Sequence, residues 1–81
     1  MRALPLTAME EIDAIGLLCP LPVLKLRKRL SRLAAGEQLR LLCDDPAAAI
    51  DVPHFCAEAG HALLSAEESG GHTVYTVRKG G

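Results

Sequence analysis

One cysteine of the chain stands between an apolar run and two prolines. Cys19 belongs to the stretch GLLCPLP (residues 16–22), in which Pro20 and Pro22 follow it directly. Proline is favoured in the first turn of a helix, so the pattern predicts Cys19 as the N-cap and Pro20 as the first helical residue. The partial positive charge of a helix N-terminus favours a thiolate, which is the nucleophilic form of cysteine. The motif therefore predicts a thiol that exchanges sulfur.

The two prolines also determine which backbone groups surround this thiol. Pro20 and Pro22 have no N–H group, which leaves the N–H groups of Cys19 and Leu21 to face a thiolate or the outer sulfur of a persulfide. A helix terminus contributes about 0.3 to 1 kcal/mol, which lowers a thiol pKa by less than one unit. We expect a moderately activated thiol on a rigid turn. Such a thiol suits reversible sulfur exchange better than strong oxidation.

The other two cysteines have the patterns of core residues. Cys43 alternates with Leu39 and Leu41, and Cys56 lies on the apolar side of a predicted helix. Three cysteines without a CxxC pair indicate reduced thiols and no disulfide framework. The histidines show no zinc-ligand spacing, so we expect neither a metal nor a cofactor. No residue is clearly placed as a general base for Cys19, so partner proteins are expected to complete its chemistry.

Basic residues cluster in the helix that follows the motif: Lys25, Arg27, Lys28, Arg29 and Arg32. At 100° per residue, Leu24, Arg27, Lys28 and Ser31 share one side of this helix. This mixed apolar and basic side is a candidate docking face for an acidic partner, although a solvated helix face would explain the same charges. Asp45 is expected mainly to cap the second helix, with partner contact as a secondary role.

Length and composition limit the class of protein. We expect one domain, 1–81, with an aliphatic core, because 49% of the residues are hydrophobic but only one Tyr, one Phe and no Trp are present. The net charge of −1 and the few aromatic residues argue against direct nucleic-acid binding. The longest uncharged stretch, 14–24, is too short to span a membrane, and the N-terminal residues lack the apolar core of a signal peptide. We therefore expect a cytoplasmic protein without membrane contact.

Hydrophobic periodicity predicts the elements that position Cys19. The predicted segments are a strand at 10–15, a helix from Pro20 to near Gly36, a strand at 38–43, a turn at 46–51, a helix at 52–59 and a hairpin of strands 62–68 and 73–79. Pro53 is the reason for expecting the turn before the second helix. The order βαβαββ predicts an α/β two-layer sandwich, with a mixed four-stranded sheet and both helices packed on one face.

The motif and the element order together resemble the TusA/SirA sulfur-carrier family, in which a strand, a glycine and a Cys-Pro-x-Pro motif open the first helix. The similarity runs from about Asp13 to the C-terminus and includes DDP (44–46), FC (55–56), GH (60–61) and RKGG (78–81). The resemblance implies that Cys19 accepts sulfane sulfur as a persulfide from a cysteine desulfurase. Downstream sulfur-relay proteins would then receive it, ultimately for 2-thiouridine at the tRNA wobble position. Delivery to molybdenum-cofactor or sulfur-oxidation pathways stays open.

Two functions outside this family also remain open. The chain ends in Gly80-Gly81, as a ubiquitin-like carrier of a C-terminal thiocarboxylate does, but the element order is not that of a β-grasp fold and the Cys-Pro-x-Pro motif would have no role. A non-catalytic regulatory module could instead dock through the basic helix. Such a module would not depend on Cys19.

Overall fold

The fold consists of a four-stranded sheet and two helices that pack on one of its faces. The computed structural model describes residues 9–81; the absence of a signal peptide was predicted mainly from residues 1–8, which lie outside the described range. The elements are β1 (Glu10–Asp13), α1 (Leu21–Leu30), β2 (Gln38–Cys43), α2 (Ala48–Ala59), β3 (Ala62–Ser69) and β4 (His72–Arg78). Between residues 9 and 81, no helix is long and apolar enough to cross a membrane.

The strands lie in the order β1-β2-β4-β3. The first two strands are parallel because α1 carries the chain back between them. The last strand pairs antiparallel with both β2 and β3, and Gly70 and Gly71 form the hairpin turn with positive φ angles that suit glycine. The predicted βαβαββ order and mixed sheet are therefore confirmed.

Alternate residues of the two central strands form the floor of the core. Leu39 pairs with Val77 and Leu41 pairs with Tyr75, and all four side chains are buried. The helices close the core from one side with the buried residues Leu26, Leu30, Ala48, Val52, Phe55 and Cys56. This core is mainly aliphatic, as the composition predicts.

The first helix is shorter than its periodicity predicts. It begins at Leu21 with Pro20 as the N-cap, and it ends at Leu30 instead of continuing to near Gly36. The N–H groups of Arg32 and Leu33 bond three residues back, which tightens the chain into a turn. The apolar periodicity continues to Leu33 because that residue packs against the core from the turn.

The second helix is longer than predicted, because it begins at Ala48 and runs through Pro53 without a break. Of the predicted turn at 46–51, residues 46–47 do form a turn, whereas residues 48–51 belong to the helix. Buried residues on both sides of the proline, Ala48 and Val52 before it and Phe55 after it, lie on one face of the helix. A proline inside a helix costs about 3 kcal/mol. Burial of this continuous face against the sheet offsets that cost.

The C-terminal segment ties the sheet to α1. The Lys79 ammonium donates to the carbonyl oxygens of Leu30 at 2.8 Å and Leu33 at 3.2 Å. These carbonyls lie at and just beyond the end of the helix, where a cation is favourable. A side chain on Gly80 would collide with the Gly60 carbonyl, so only glycine fits there. Lys79, near the end of the sequence, therefore caps the C-terminus of α1.

His61 holds the backbone of this tail. The Gly80 N–H donates to His61 Nδ1 at 3.0 Å. Burial, and secondarily the charge of Lys79, lowers the pKa of His61. The lowered pKa favours the neutral imidazole, whose unprotonated nitrogen is able to accept this bond.

Replacing Lys79 by Met tests this connection. We expect K79M to lower the free energy of unfolding by about 1.5 to 3 kcal/mol, the usual worth of hydrogen bonds to a charged group. K25M, at an exposed position of α1, is the matched control and should change stability by less than about 0.5 kcal/mol. Urea unfolding followed by circular dichroism measures both. Equal effects of the two substitutions would contradict a specific role for Lys79.

Candidate functional site

Cys19 lies in the loop between β1 and α1, with its side chain exposed. The prediction that Cys19 is the N-cap and Pro20 the first helical residue is wrong by one position, because Pro20 is the N-cap and Leu21 is the first helical residue. Pro22 is the second helical residue, where its missing N–H leaves no helical bond unmade. Gly16 begins the loop with a φ of 86°, a conformation that favours glycine.

Three carboxylates from one region of the chain hold this loop. Asp44 accepts a hydrogen bond from the Gly16 N–H at 2.9 Å, and Asp45 accepts one from the Cys19 N–H at 2.7 Å. Asp51, in the first turn of α2, accepts one from the Cys19 thiol, with 3.0 Å between Sγ and Oδ2. We call these three residues the carboxylate clamp. Its members come from the β2–α2 connection and the start of α2.

The clamp gives Asp45 a role that differs from the predicted one. The formal N-cap of α2 is Ala47, which makes no side-chain cap bond. The Asp45 carboxylate accepts a bond from the Ala47 N–H at 3.2 Å with one oxygen, while its other oxygen binds the Cys19 backbone. Asp45 thus supports the start of α2 and positions Cys19 at the same time.

The predicted backbone donors do not face the thiol. The Cys19 N–H is taken by Asp45, and the Leu21 N–H donates to the Leu18 carbonyl at 2.9 Å. The pKa of the Cys19 thiol is raised above its ordinary value, mainly because the thiol donates to Asp51, with further contributions from desolvation and from the charges of Asp51 and Asp45. The contact with Asp51 favours the protonated thiol, which is the opposite of the moderate activation that the sequence predicts.

The thiol opens into a groove of about 270 Å³ between the two helices. The groove is lined by Cys19, Pro20, Val23, Arg27, Asp51, His54, Phe55 and Glu58. The Arg27 guanidinium lies over the Phe55 ring, 5.4 Å from its centroid, which is within cation–π range. The His54 ring lies beside the Glu58 carboxylate, with 3.4 Å between Nε2 and Oε1. The groove therefore contains the Cys19 thiol, the Arg27 guanidinium and the carboxylates of Asp51 and Glu58.

A larger cavity, of about 420 Å³, does not include Cys19. It lies beside the end of β2 and the hairpin turn, where Cys43, Asp44, Glu68 and His72 are among its lining residues. Of these two pockets, the smaller groove is therefore the one that contains the exposed thiol.

The structure separates the residues of the predicted docking face. Arg27 lines the groove with Cys19, whereas Leu24 and Lys28 of α1 and Ser31, the residue that caps its C-terminus, are exposed but do not line it. Ser31 turns back to donate to the Lys28 carbonyl at 2.6 Å. These residues therefore form one helix surface, of which only Arg27 shares the groove.

Sequence reasoning missed two sets of residues at the site. Leu18 precedes the motif and is 69% exposed, and Leu21 lies within it and is 48% exposed; with Leu24, also 48% exposed, they form what we call the apolar rim. The sequence signal was the recurrence of leucine every third residue, at 18, 21 and 24, around the motif. Asp51 had no comparable signal, because 32 residues separate it from Cys19.

The remaining cysteines belong to the core, as predicted. Cys43 is 1% exposed and Cys56 is 2% exposed. Burial raises the pKa of both thiols. Neither thiol is placed to react with a protein partner.

The difference in exposure predicts selective alkylation of the native protein. Iodoacetamide should modify Cys19 and spare Cys43 and Cys56, while all three should react in urea. Because the thiol pKa is raised, the alkylation rate of Cys19 should keep rising with pH beyond the ordinary thiol pKa of about 8.5. Peptide mass spectrometry at a series of pH values measures this. A plateau well below that pH would contradict the thiol–Asp51 contact.

Comparison with known proteins places this site in a family. The family model described as sulfurtransferase TusA matches residues 10–79, which include the whole sheet, both helices and Cys19. The crystal structure of a SirA-like protein from Desulfitobacterium hafniense is similar, with a TM-score of 0.79 and 28% sequence identity, over 90% of this chain and 100% of that chain. The chain belongs to the TusA sulfurtransferase family, and this membership implies a sulfur-carrier role with donor and acceptor proteins.

Proposed function

We propose that this protein carries sulfane sulfur as a persulfide on Cys19, which it receives from a cysteine desulfurase and passes to a downstream sulfur-relay protein. The observation that carries the proposal is the placement of Cys19, the exposed one of three cysteines, at the mouth of a groove before α1. Pro20 and Pro22 fix the backbone on which the thiol is presented. Family membership supports the same class of function.

The proposed transfer is a thiol–persulfide exchange. The Cys19 thiol loses its proton, and its sulfur attacks the outer sulfur of the donor's persulfide. One S–S bond forms to Cys19 while the S–S bond of the donor breaks, and the donor cysteine leaves as a thiolate that takes up a proton. The acceptor thiol then attacks the outer sulfur on Cys19 in the same way. The exchange needs no net oxidant or reductant.

The surroundings of Cys19 support docking of protein partners at this point. The apolar rim offers exposed leucine side chains beside the thiol, and Arg27 offers a cation within the groove. Apolar contact supplies burial, while rim charges mainly steer the encounter between proteins. The leucines and Arg27 together suit a partner that presents an apolar patch and an acidic residue placed to meet Arg27.

We assign the acceptor pathway to 2-thiouridine synthesis at the tRNA wobble position, in the cytoplasm. Family membership and the motif support this pathway, and delivery to molybdenum-cofactor or sulfur-oxidation enzymes is the alternative. The weakly acidic chain supports transfer to a protein instead of direct binding to tRNA.

The C-terminal tail has structural roles that favour the persulfide over a C-terminal thiocarboxylate. Lys79 closes α1, and Gly80 packs against Gly60 and bonds to His61. These contacts account for the end of the chain without any chemistry at its carboxylate. Gly81 follows as an exposed residue.

Loading with sulfur tests the assignment of Cys19. After incubation with a cysteine desulfurase and cysteine, the wild type should gain one sulfur atom that a reductant removes, because thiols attack the S–S bond. C43A and C56A, where they fold, should load as the wild type does, and C19S should not. Intact-protein mass spectrometry measures the gain. Loading of C19S, or sulfur that survives the reductant, would refute the assignment and favour the thiocarboxylate.

The same variants test the pathway in cells. A strain that lacks the gene should lose wobble 2-thiouridine, and the wild-type gene but not C19S should restore it. If the strain that lacks the gene had normal 2-thiouridine and a defect in another sulfur pathway, the tRNA assignment would be wrong and the protein would supply that other pathway.

Charge reversals at adjacent positions of α1 test the docking face. R27E should slow association with the desulfurase and weaken its salt dependence more than K28E, because Arg27 shares the groove with Cys19. R27E also loses the cation–π contact, worth about 0.5 to 1 kcal/mol, so unfolding is measured in parallel. Stopped-flow association at two salt concentrations gives the rates. If neither substitution changed the association rate or its salt dependence, this side of α1 would be a solvated helix face without a role in docking.

A further inference from the structure

The contact between Cys19 and Asp51 pairs the reactive atom of the site with a carboxylate. The thiol donates to Asp51 Oδ2 with 3.0 Å between sulfur and oxygen. A thiolate has no proton to donate. At this distance a thiolate and a carboxylate would face each other as two negative charges, which disfavours ionisation of the sulfur.

The charged groups around the sulfur come from all three segments that border it. The β2–α2 connection contributes Asp45, α2 contributes Asp51, His54 and Glu58, and α1 contributes Arg27. His54 is paired with Glu58, and the Arg27 guanidinium lies over the Phe55 ring. The nearby backbone donors are also used, as described above. Within the described residues, the immediate partners of Cys19 are thus carboxylates.

We propose that Asp51 holds the Cys19 thiol protonated in the free protein, so that sulfur exchange proceeds only in a complex whose partner brings a cationic group to this carboxylate. The proposal rests on the sulfur-carrier function and adds a residue that controls the reactivity of Cys19. In the complex, the thiol proton passes to a base of the partner, and the Cys19 sulfur bonds to the outer sulfur of the partner's persulfide. The partner's inner sulfur leaves as a thiolate and takes up a proton.

Such an arrangement protects the unloaded protein from small disulfides. Exchange with oxidised glutathione requires the thiolate of Cys19 as the attacking group. A protonated thiol exchanges slowly, even though it is exposed to solvent. Asp51 therefore keeps the Cys19 thiol unreactive although it is exposed to solvent. A carrier with an exposed thiol needs this protection.

Replacing Asp51 by Asn tests the proposal, because Asn retains the shape and a hydrogen-bond acceptor but removes the charge. The midpoint of the pH dependence of Cys19 alkylation should fall. Each unit of fall raises the thiolate fraction about tenfold at neutral pH, partly offset by lower intrinsic nucleophilicity, for a net gain in rate of about threefold. Formation of the mixed disulfide with oxidised glutathione should accelerate in parallel.

E67Q, at an exposed position of β3, makes the same change in net charge away from the site and should leave both rates at the wild-type value. An alkylation midpoint for D51N equal to that of the wild type would overturn the proposal. Should D51N fail to fold, the wild-type profile decides, because a midpoint at or below about 8.5 contradicts a protonating role for Asp51. Failure of the wild type to load sulfur from a desulfurase would refute the carrier function and leave this test of Asp51 unaffected.

Discussion

The parallel pairing of β1 with β2 is the constraint on which the site depends. Parallel neighbours end at the same edge of a sheet, so the loop after β1 and the connection after β2 must meet there. The first loop carries Cys19, and the second carries Asp44 and Asp45. The hydrogen bonds between these two loops therefore follow from the strand direction, and α2 then leaves the same edge with Asp51 in its first turn.

This geometry produces an exposed cysteine whose pKa is raised. A helix N-terminus often activates a thiol, yet here Asp45 accepts the Cys19 N–H and the thiol itself donates to Asp51. The local carboxylates outweigh the small effect of the helix terminus, which is worth less than one pKa unit. An accessible sulfur with a raised pKa suits a carrier that must wait for its partner.

The opposite end of α1 is held by residues from the end of the chain. Lys79 binds the carbonyls of Leu30 and Leu33, and the Glu10 carboxylate pairs with Arg29 on the same helix. The helix that follows Cys19 is therefore attached to both β1 and the segment after β4. A helix fixed in this way keeps the Cys-Pro-x-Pro turn in position beside the groove.

The sequence by itself determined the order of the elements, the bounds of β2, the hairpin and the burial of Cys43 and Cys56, because periodicity and turn residues act between near neighbours. The passage of α2 through Pro53 was decided by burial against the sheet. The end of α1 depends on Lys79, which is 49 residues from Leu30. The raised pKa of Cys19 depends on carboxylates 26 and 32 residues away. Electrostatics and packing depend on distances in space, which only the tertiary structure establishes.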